Sequence, residues 1–319
     1  MEDFAALYDY WLVDQWGVLF DAKAPYAGAV DALEKLRAAG KKVVLLSNSS
    51  KRRRDAVSNL VNKMKLGEPG RDGLYLDIIT SGEVGHEYVA GGAHDVIKPG
   101  TKVLVCGSGE GDQQYVEGFG CTLASGPDDC DWVLARGNFV VVSSAGEEAV
   151  PPGEIADDFL AQDAFYQDRA AGPLVAAAER GCPMLVTNPD KIRPGTNSPM
   201  PGRIGALFSE LGGDVTYIGK PHPAVYQSAF EVLQRATDSQ ADIPKEKVCM
   251  VGDAMPTDVL GGKWNDCGGT VLVAHGIHAS ALGVPEGACQ MPLEASLDAF
   301  LDGFSTEETP THVVPAFRY

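Results

Sequence analysis

The feature that most constrains the fold is a regular alternation of short apolar runs with helix-like segments. Apolar runs of about four to eight residues flanked by Gly, Asn or Asp are typical of buried strands. Helix-like segments lie between them, among them 27–39, 225–236 and 258–266. Because strands that alternate with helices pair in parallel and are covered on both faces, the pattern predicts an α/β fold with a parallel sheet. The predicted strands are 10–20, 42–46, 76–80, 102–106, 132–135, 139–142, 184–187, 215–218, 248–251 and 270–274.

Charge and composition exclude several classes of protein. The 319 residues carry 26 basic and 44 acidic side chains, which gives a net charge of −18. A chain this acidic is a poor general binder of nucleic acid or of an anionic membrane surface. No apolar run approaches the roughly 18 residues of a transmembrane helix, and a hydrophobic content of 45% excludes a disordered chain. We therefore expect a globular protein that binds neither nucleic acid nor membrane, and the length predicts about two domains.

The cysteines and the first residues indicate the compartment. Seven cysteines form no CxxC pair, and several lie inside apolar runs, as Cys249 does. Buried thiols of this kind are typical of a reducing compartment. The start Met1-Glu2-Asp3-Phe4 has neither the basic residues of a secretory signal nor the arginines of a transit peptide. The sequence therefore predicts a cytoplasmic protein, and it leaves a homodimer open.

Four of the apolar runs end in polar residues of a kind that can form one site. In chain order, the residues at these four ends are Asp14, Ser47 with Asn48, Lys220 and Asp253. Because ligands of an open parallel sheet bind outside the carboxyl ends of its strands, we expect all of these residues to face one crevice.

This set of residue types suits phosphoryl transfer to an aspartate. The Asp14 carboxylate can attack phosphorus as a nucleophile. Asp14 and Asp253 offer oxygen ligands of the kind that Mg²⁺ prefers, and Asp258, five residues further on, can order the water around the ion. Ser47 and the backbone N–H groups that follow it are suited to bind phosphate.

The residues around these positions resemble the haloacid dehalogenase superfamily of aspartate-nucleophile phosphatases. The likeness is greatest to its class IIA, which contains nitrophenyl-phosphatase, nucleotide-phosphatase and pyridoxal-phosphatase-like enzymes, and it spans residues 10–277. The resemblance implies a Rossmann-like core over 1–80 and 212–319, with a smaller α/β cap domain inserted over 81–211. The stretches that carry it are Asp14-Gln15-Trp16-Gly17-Val18-Leu19, Val44-Leu45-Leu46-Ser47-Asn48, Thr187-Asn188-Pro189-Asp190, Ile218-Gly219-Lys220-Pro221-His222-Pro223 and Val251-Gly252-Asp253-Ala254-Met255-Pro256-Thr257-Asp258.

The resemblance also implies an activity and the residues that carry it out. It implies a Mg²⁺-dependent phosphatase-type hydrolase that acts on a small phosphorylated metabolite through an aspartyl-phosphate on Asp14. Asp14 and Lys220 would be catalytic, and Ser47, Asn48 and Lys220 would bind phosphate. The metal ligands would be Asp14, Asp253, Asp258 and the backbone carbonyl of Trp16.

One residue departs from the first motif of the family. The family has a second Asp two residues after the nucleophile, which protonates the leaving oxygen and then activates water, whereas this chain has Trp16. An indole offers only one N–H donor, and loss of general acid–base help slows a reaction about 10²–10⁴-fold. Because side chains alternate along a strand, Trp16, two residues after Asp14, is expected to point into the same crevice. Because the acid–base group is missing, we expect turnover to be slow. Two alternatives stay open: the protein binds phosphorylated metabolites or regulates without turnover, or the indole only fills core space.

Three further segments are candidates for function. The loop 188–202 is expected to lie over the crevice and to set specificity. The run 51–54 is either a solvated patch or a region that steers an anionic substrate. The stretch 107–111 resembles a dinucleotide-binding loop faintly, with Asp112 where the last glycine would stand, and it supports a third hypothesis, a nicotinamide-dependent oxidoreductase. The specificity residues expected in the loop 188–202 are Asn188, Asp190, Lys191 and Arg193.

Overall fold

The chain divides into two compact units in a computed structural model. The first unit comprises 1–47, 52–80 and 220–319, and the second comprises 48–51 and 81–219. The structure describes residues 1–21, 24–151, 160–168, 172–193, 198–237, 242–285 and 287–319. In these ranges, no helix is long and apolar enough to cross a membrane.

Strands and helices alternate along most of the chain. The strands are β1 (Tyr10–Val13), β2 (Lys42–Ser47), β3 (Asp77–Thr80), β4 (Lys102–Gly107), β5 (Thr122–Leu123), β6 (Trp132–Ala135), β7 (Val140–Ser143), β8 (Gly146–Ala149), β9 (Met184–Val186), β10 (Val215–Tyr217), β11 (Val248–Gly252), β12 (Gly269–Val273) and β13 (His312–Val314). The helices are α1 (Glu2–Ala5), α2 (Ala29–Ala38), α3 (Arg53–Asn62), α4 (Ser81–Ala90), α5 (Asp112–Gly118), α6 (Leu160–Gln167), α7 (Pro173–Glu179), α8 (Pro201–Glu210), α9 (Pro223–Thr237), α10 (Leu260–Trp264) and α11 (Glu294–Leu301).

The first unit is built on a parallel sheet. Its strands lie in the order β13-β12-β11-β1-β2-β3, and each neighbouring pair is parallel. Among the strands of this unit, the order reverses between β1 and β11, as in a doubly wound Rossmann-like fold. The predicted α/β class with a Rossmann-like parallel sheet is confirmed. Ligands of such folds bind at the reversal point, outside the carboxyl ends of the strands.

Burial on both faces explains why the strands of this sheet read as continuous apolar runs. All residues of β11 and β12 are buried, as are Trp11, Leu12 and Val13 of β1. The buried residues of α2 recur at intervals of three and four and pack in one apolar cluster with Trp11 and Val13. Each large side chain buried in this way stabilises the fold by about 1.5–3 kcal/mol, so the ends of β1 and β11 are held firmly.

The second unit has a sheet and a core of its own. Its strands lie in the order β10-β9-β6-β4-β7-β8, with β5 also paired to β4. The pairs from β10 to β4 are parallel, whereas β7 and β8 are antiparallel additions. Leu104, Val133, Met184 and Phe208 belong to its buried apolar cluster. A separate hydrophobic core is what an independently folded domain requires.

The first strand is shorter than the sequence predicts. The apolar run extends over 10–20, but β1 ends at Val13. The reason is a tight turn, in which the Gln15 carbonyl accepts hydrogen bonds from the N–H groups of Val18, Leu19 and Phe20. Because this carbonyl is bonded within the turn, it does not pair with a neighbouring strand, and β1 ends before it.

Two segments of the second unit also differ from the prediction. The sequence assigns 212–219 to the core domain, but β10 pairs in parallel with β9, so the second unit extends to Gly219 and also takes in 48–51. None of the predicted strands falls in 145–153, but β8 occupies part of this segment. All four residues of β8 are exposed, which is why no apolar pattern marks this strand.

Candidate active site

Three carboxylates lie together at the reversal point of the first sheet. Asp14 follows β1, Asp253 follows β11, and Asp258 lies in the π-helical turn Met255–Val259. All three are buried, and each offers an oxygen within 4.8 Å of the other two. Because β1 and β11 are parallel neighbours in register, with Val13 opposite Val251, their carboxyl ends bring Asp14 and Asp253 to one place.

Lys220 joins two of these carboxylates. Its Nζ donates hydrogen bonds to Oδ1 of Asp14 and to Oδ1 of Asp258, both at 2.6 Å. The side chain is buried with its partners. Hydrogen bonds between ionised groups at this distance are about twice as strong as neutral ones, so Lys220 fixes the relative positions of Asp14 and Asp258.

Backbone N–H groups complete the surroundings of the carboxylates. The N–H of Ile277 donates to Oδ2 of Asp253 at 2.8 Å, and the N–H of Ala254 donates to Oδ2 of Asp258 at 3.0 Å. Neither donor is predicted from the sequence. The available signal was Gly276, a glycine just after an apolar run that ends at a strand tip.

Two glycines allow the backbone to approach Asp253 closely. A Cβ at either Gly17 or Gly276 would overlap Oδ2 of Asp253. Gly17 also has a φ of +78°, a conformation that side chains other than glycine adopt at a cost. The loops after β1 and β12 are therefore packed directly against the same carboxylate oxygen.

Burial and mutual repulsion raise the affinity of the site for positive charge. Burial raises the pKa of Asp14 to about 7, and Asp258 adds to the rise while Lys220 opposes it. Burial raises the pKa of Asp253 well above its ordinary value, and the charges of Asp14 and Asp258 raise it further. Burial tends to lower the pKa of Lys220, but Asp14 and Asp258 outweigh this effect and raise it above its usual value. Lys220 therefore stays protonated.

The donor set fits a hard divalent cation. Three carboxylates and one ammonium leave a formal charge of −2 when all are ionised, and a divalent cation brings this to zero. Oxygen-only ligands are those that Mg²⁺ prefers. Asp14, Asp253 and Asp258 are therefore suited to hold Mg²⁺, whereas coordination by the Trp16 carbonyl stays a prediction.

Trp16 lies at the surface of the first unit. Its side chain is 37% exposed, so the alternative that the indole only fills core space is wrong. It precedes Gly17, whose backbone contacts Asp253. The residue that replaces the acid–base Asp of the family thus lies two residues after Asp14 and is partly exposed to solvent.

The predicted phosphate-binding residues lie at the carboxyl end of β2. Ser47 is the last residue of β2, opposite Thr80 in the register of β2 and β3. Asn48 is buried and belongs to the second unit, where its Nδ2 donates to Oδ1 of Asp190 at 2.8 Å. Binding of phosphate by Ser47 and Asn48 stays a prediction.

The predicted specificity residues lie in a partly described segment of the second unit. The Oδ1 of Asn188 accepts a hydrogen bond from the N–H of Asp190 at 3.0 Å, which shapes the start of the segment. Lys191 and Arg193 are exposed, and the Arg193 guanidinium lies 5.9 Å from the centre of the Phe139 ring. Residues 194–197 of the predicted loop lie outside the described residues. The role of these side chains in specificity stays a prediction.

Two other candidate segments have local structural roles. In the basic run, Arg53 pairs with Asp77 at 2.7 Å and Arg54 with Asp55 at 3.4 Å, which weakens the steering hypothesis. In the glycine-rich stretch 107–111, the N–H of Gly109 donates to Asp112 at 2.6 Å. The buried Asp112 carboxylate also pairs with Arg136. Because this carboxylate occupies the Gly109 N–H, the loop does not present that donor to a pyrophosphate.

Comparisons with known proteins agree with this geometry. A family model described as haloacid dehalogenase-like hydrolase matches residues 11–122, and a second, described as HAD-hydrolase-like, matches residues 217–289. The chain is 25% identical over 283 residues to a 4-nitrophenylphosphatase of Schizosaccharomyces pombe, covering 86% of this chain and 87% of that one.

Two solved structures share the fold. A haloacid dehalogenase-like hydrolase from Brucella suis 1330 superposes with a TM-score of 0.68 at 20% identity, covering 99% of this chain and 98% of that one. A glycerol phosphate phosphatase from Mycobacterium tuberculosis, solved in complex with magnesium, gives a TM-score of 0.60 at 21% identity, covering 98% of this chain and 77% of that one.

Proposed function

Because the chain belongs to the haloacid dehalogenase superfamily, we propose that it is a Mg²⁺-dependent phosphatase that hydrolyses a small phosphate monoester through an aspartyl-phosphate on Asp14. The observation that carries the proposal is the buried cluster of Asp14, Asp253, Asp258 and Lys220 where the order of the sheet reverses. The name of the Schizosaccharomyces pombe relative supports phosphate ester hydrolysis. The magnesium complex of the Mycobacterium tuberculosis phosphatase supports the metal.

In the proposed first step, Asp14 accepts the phosphoryl group. One of its Oδ atoms forms a bond to phosphorus, and the bond from phosphorus to the organic oxygen breaks, so that oxygen leaves and takes a proton from water. The attack requires an ionised carboxylate, which Lys220 favours from 2.6 Å. Bound Mg²⁺ supplies electrostatic stabilisation of the charge on the phosphate oxygens.

Lys220 has a second task in this step. Its protonated Nζ is anchored by Asp258 at 2.6 Å as well as by Asp14, so the positive charge stays in place while the negative charge of Asp14 passes to the leaving oxygen. Ser47 and Asn48 are proposed to bind phosphate oxygens through the hydroxyl group and the backbone N–H groups that follow β2.

In the proposed second step, water attacks phosphorus and releases Asp14 and inorganic phosphate. The proton of this water must leave, and the indole of Trp16 has no lone pair with which to accept it. The proton therefore passes to solvent or to a phosphate oxygen. General acid–base help contributes about 10²–10⁴-fold to such steps, so we propose that hydrolysis of the aspartyl-phosphate limits turnover.

The second candidate function is a phosphometabolite-binding or regulatory protein without useful turnover. The specific observation in its favour is the same Trp16, which stands in the place of the acid–base residue while the carboxylates and Lys220 remain. A phosphatase would release inorganic phosphate after binding its ligand, whereas a binding protein would retain the phosphorylated ligand intact.

The test is rapid mixing of the protein with phenyl phosphate and Mg²⁺. We expect a burst of phenol of about one equivalent, because a covalent intermediate accumulates when its breakdown is slow, followed by slow release of phosphate. The Asp14→Asn variant, which keeps the side-chain shape, should lose both phases, and excess EDTA should abolish them in the unchanged protein. Binding of phosphate monoesters without release of alcohol or inorganic phosphate from any ester of a panel would favour the second candidate and overturn the first.

A further inference from the structure

The loop after β12 makes two hydrogen bonds to the segment that carries Asp253. The N–H of Ile277 donates to Oδ2 of Asp253 at 2.8 Å. The next residue of the loop, His278, accepts through its Nε2 the N–H of Met255 at 3.1 Å. Two neighbouring residues of one loop therefore bind the chain on both sides of Ala254.

The hydrogen bond to His278 lies where the turn after β11 needs a partner. Met255 is the first residue of the π-helical turn that carries Asp258. The first N–H groups of a helical segment have no partner within it. The N–H of Ala254 is bound by Oδ2 of Asp258 at 3.0 Å, and the following N–H, that of Met255, is bound by His278. The imidazole therefore fixes the start of the turn and, through it, the position of Asp258.

The His278 ring is itself held in place by its neighbours. Its centre lies 5.0 Å from the centre of the Phe300 ring, and its carbonyl accepts the N–H of Leu282 at 2.9 Å. Met255 and Leu282 belong to one buried cluster, against which Phe300 packs. Burial lowers the pKa of His278, and the charge of Asp258 opposes this only in part, so the ring is neutral at pH 8 and its Nε2 can accept a hydrogen bond.

The position of Asp258 matters most for a small cation. Asp258 binds Lys220 at 2.6 Å and has an oxygen within 4.8 Å of ligand atoms of Asp14 and Asp253. Mg²⁺ requires near-ideal octahedral geometry at about 2.0–2.1 Å, whereas Ca²⁺ accepts six to eight oxygens in flexible arrangements at about 2.3–2.6 Å. A displacement of Asp258 should therefore weaken binding of Mg²⁺ more than binding of Ca²⁺.

We infer that His278 is a positioning residue of the candidate active site. Its Nε2 holds the N–H of Met255, and this bond keeps Asp258 where the three carboxylates converge on one Mg²⁺. The inference rests on the proposed function only in taking this cluster as a Mg²⁺ site. His278 acts on the ion through the backbone of the turn.

The test is calorimetric titration of Mg²⁺ and of Ca²⁺ at pH 8 into three variants of His278. His278→Leu removes the acceptor, and we expect the dissociation constant of Mg²⁺ to rise about tenfold, as when a partner that orients a metal ligand is lost, and that of Ca²⁺ to rise less. His278→Gln should retain the preference for Mg²⁺, because its amide oxygen can take the place of Nε2. His278→Asn should lose it, because its shorter side chain does not reach the N–H of Met255.

The matched control is a second hydrogen-bonded histidine of the same unit. Nε2 of His312 lies 3.0 Å from the hydroxyl oxygen of Tyr8, and the His312 ring stacks on Phe4 at 4.0 Å. His312 is the first residue of β13, so it lies at the amino ends of the parallel strands, away from the carboxylates. His312→Leu should lower stability without changing either dissociation constant. Urea-induced unfolding in EDTA checks the folding of each variant.

Several results would overturn the inference. They are an equal rise of both dissociation constants in His278→Leu, no rise in either, a loss in His278→Gln as large as in His278→Leu, or an effect of His312→Leu on Mg²⁺ as large as that of His278→Leu. If His278→Leu does not fold, the comparison of Gln with Asn at this position decides, and equal binding of Mg²⁺ by these two variants overturns the inference.

Metal binding and turnover separate this inference from the proposed function. A preference for Mg²⁺ over Ca²⁺ that depends on His278, in a protein that releases no phosphate from any ester, would uphold the positioning role and overturn the phosphatase. Phosphate release that is equally fast in His278→Leu at limiting Mg²⁺, with unchanged dissociation constants, would uphold the phosphatase and overturn the positioning role.

Discussion

Replacing Lys220 by Met tests whether its ammonium holds the buried carboxylates together. The substitution removes two hydrogen bonds of 2.6 Å between ionised groups, each worth about 1.5–3 kcal/mol. It leaves Asp14 and Asp258 buried with less positive charge nearby. We therefore expect the free energy of unfolding to fall by about 3–6 kcal/mol at pH 8 in EDTA, which overlaps the range of about 3–5 kcal/mol measured when one partner of a buried ion pair is removed.

The same substitution should have a smaller effect in acid. The pKa of Asp14 is raised from 3.8 to about 7, so the folded protein binds more protons than the unfolded chain between these values, and this contribution to stability falls as pH rises through that window. A carboxylate left without Lys220 can be protonated instead, which costs about 1.5 kcal/mol at pH 5 but about 5.5 kcal/mol at pH 8. The loss in Lys220→Met should thus shrink at pH 5.

Urea-induced unfolding followed by circular dichroism at the two pH values measures this difference. Lys63→Met is the control, since Lys63 is exposed at the end of α3 and its replacement should change stability by no more than about 0.5 kcal/mol. Saturating Mg²⁺ should restore part of the stability of Lys220→Met at pH 8. A loss below about 1 kcal/mol at pH 8, or an equal loss at both pH values, would show that the ammonium does not neutralise the cluster.

Three further predictions concern single residues near and away from the site. Trp16→Asp should raise the steady-state rate of phosphate release, by up to about 10²–10⁴-fold; a wild-type rate already near 10 s⁻¹, or no gain in a folded variant, would contradict the slow second step. Gly17→Ala should weaken Mg²⁺ binding in calorimetry because its Cβ would overlap Asp253, whereas Gly67→Ala, at the same φ of +78° but with nothing within 4 Å, should not; equal effects would refute the packing argument. Cys289 is the exposed one of the seven cysteines, so Ellman's reagent should titrate about one thiol rapidly in the native protein and none in Cys289→Ser, and rapid reaction of further thiols would count against their burial.

The sequence predicts the strand ends that carry the site, for a physical reason. A strand buried on both faces must be apolar throughout, so the first polar residue after it marks the sheet edge. That reasoning finds Asp14 after β1 and Asp253 after β11, and parallel pairing then brings both to one edge. The alternation of strands with helices likewise predicts the doubly wound class. Both the polar residue at a strand end and this alternation can be read from short stretches of sequence.

Features that depend on distant pairing were not predictable in the same way. The run at β10 reads as a strand, but nothing within Val215–Tyr217 indicates that its neighbour is β9 rather than a strand of the first sheet. The N–H of Ile277 is a donor that every residue except proline possesses, so only the folded position after β12 shows that it binds Asp253. β8 pairs with β7 through backbone hydrogen bonds, and its exposed side chains carry no pattern.

The placement of β1 between β2 and β11 has a consequence for folding during synthesis on the ribosome. Leu12 lies opposite Val44, 32 residues later, and also opposite Met250, 238 residues later. At a synthesis rate of about 5–20 residues per second, roughly 12–48 seconds pass before the second neighbour exists. During that time one edge of the central strand has unsatisfied backbone groups, and an open apolar edge is a template for pairing with other nascent chains. Production of this protein should therefore depend more on chaperones that shield the first 80 residues than on the stability of the finished molecule.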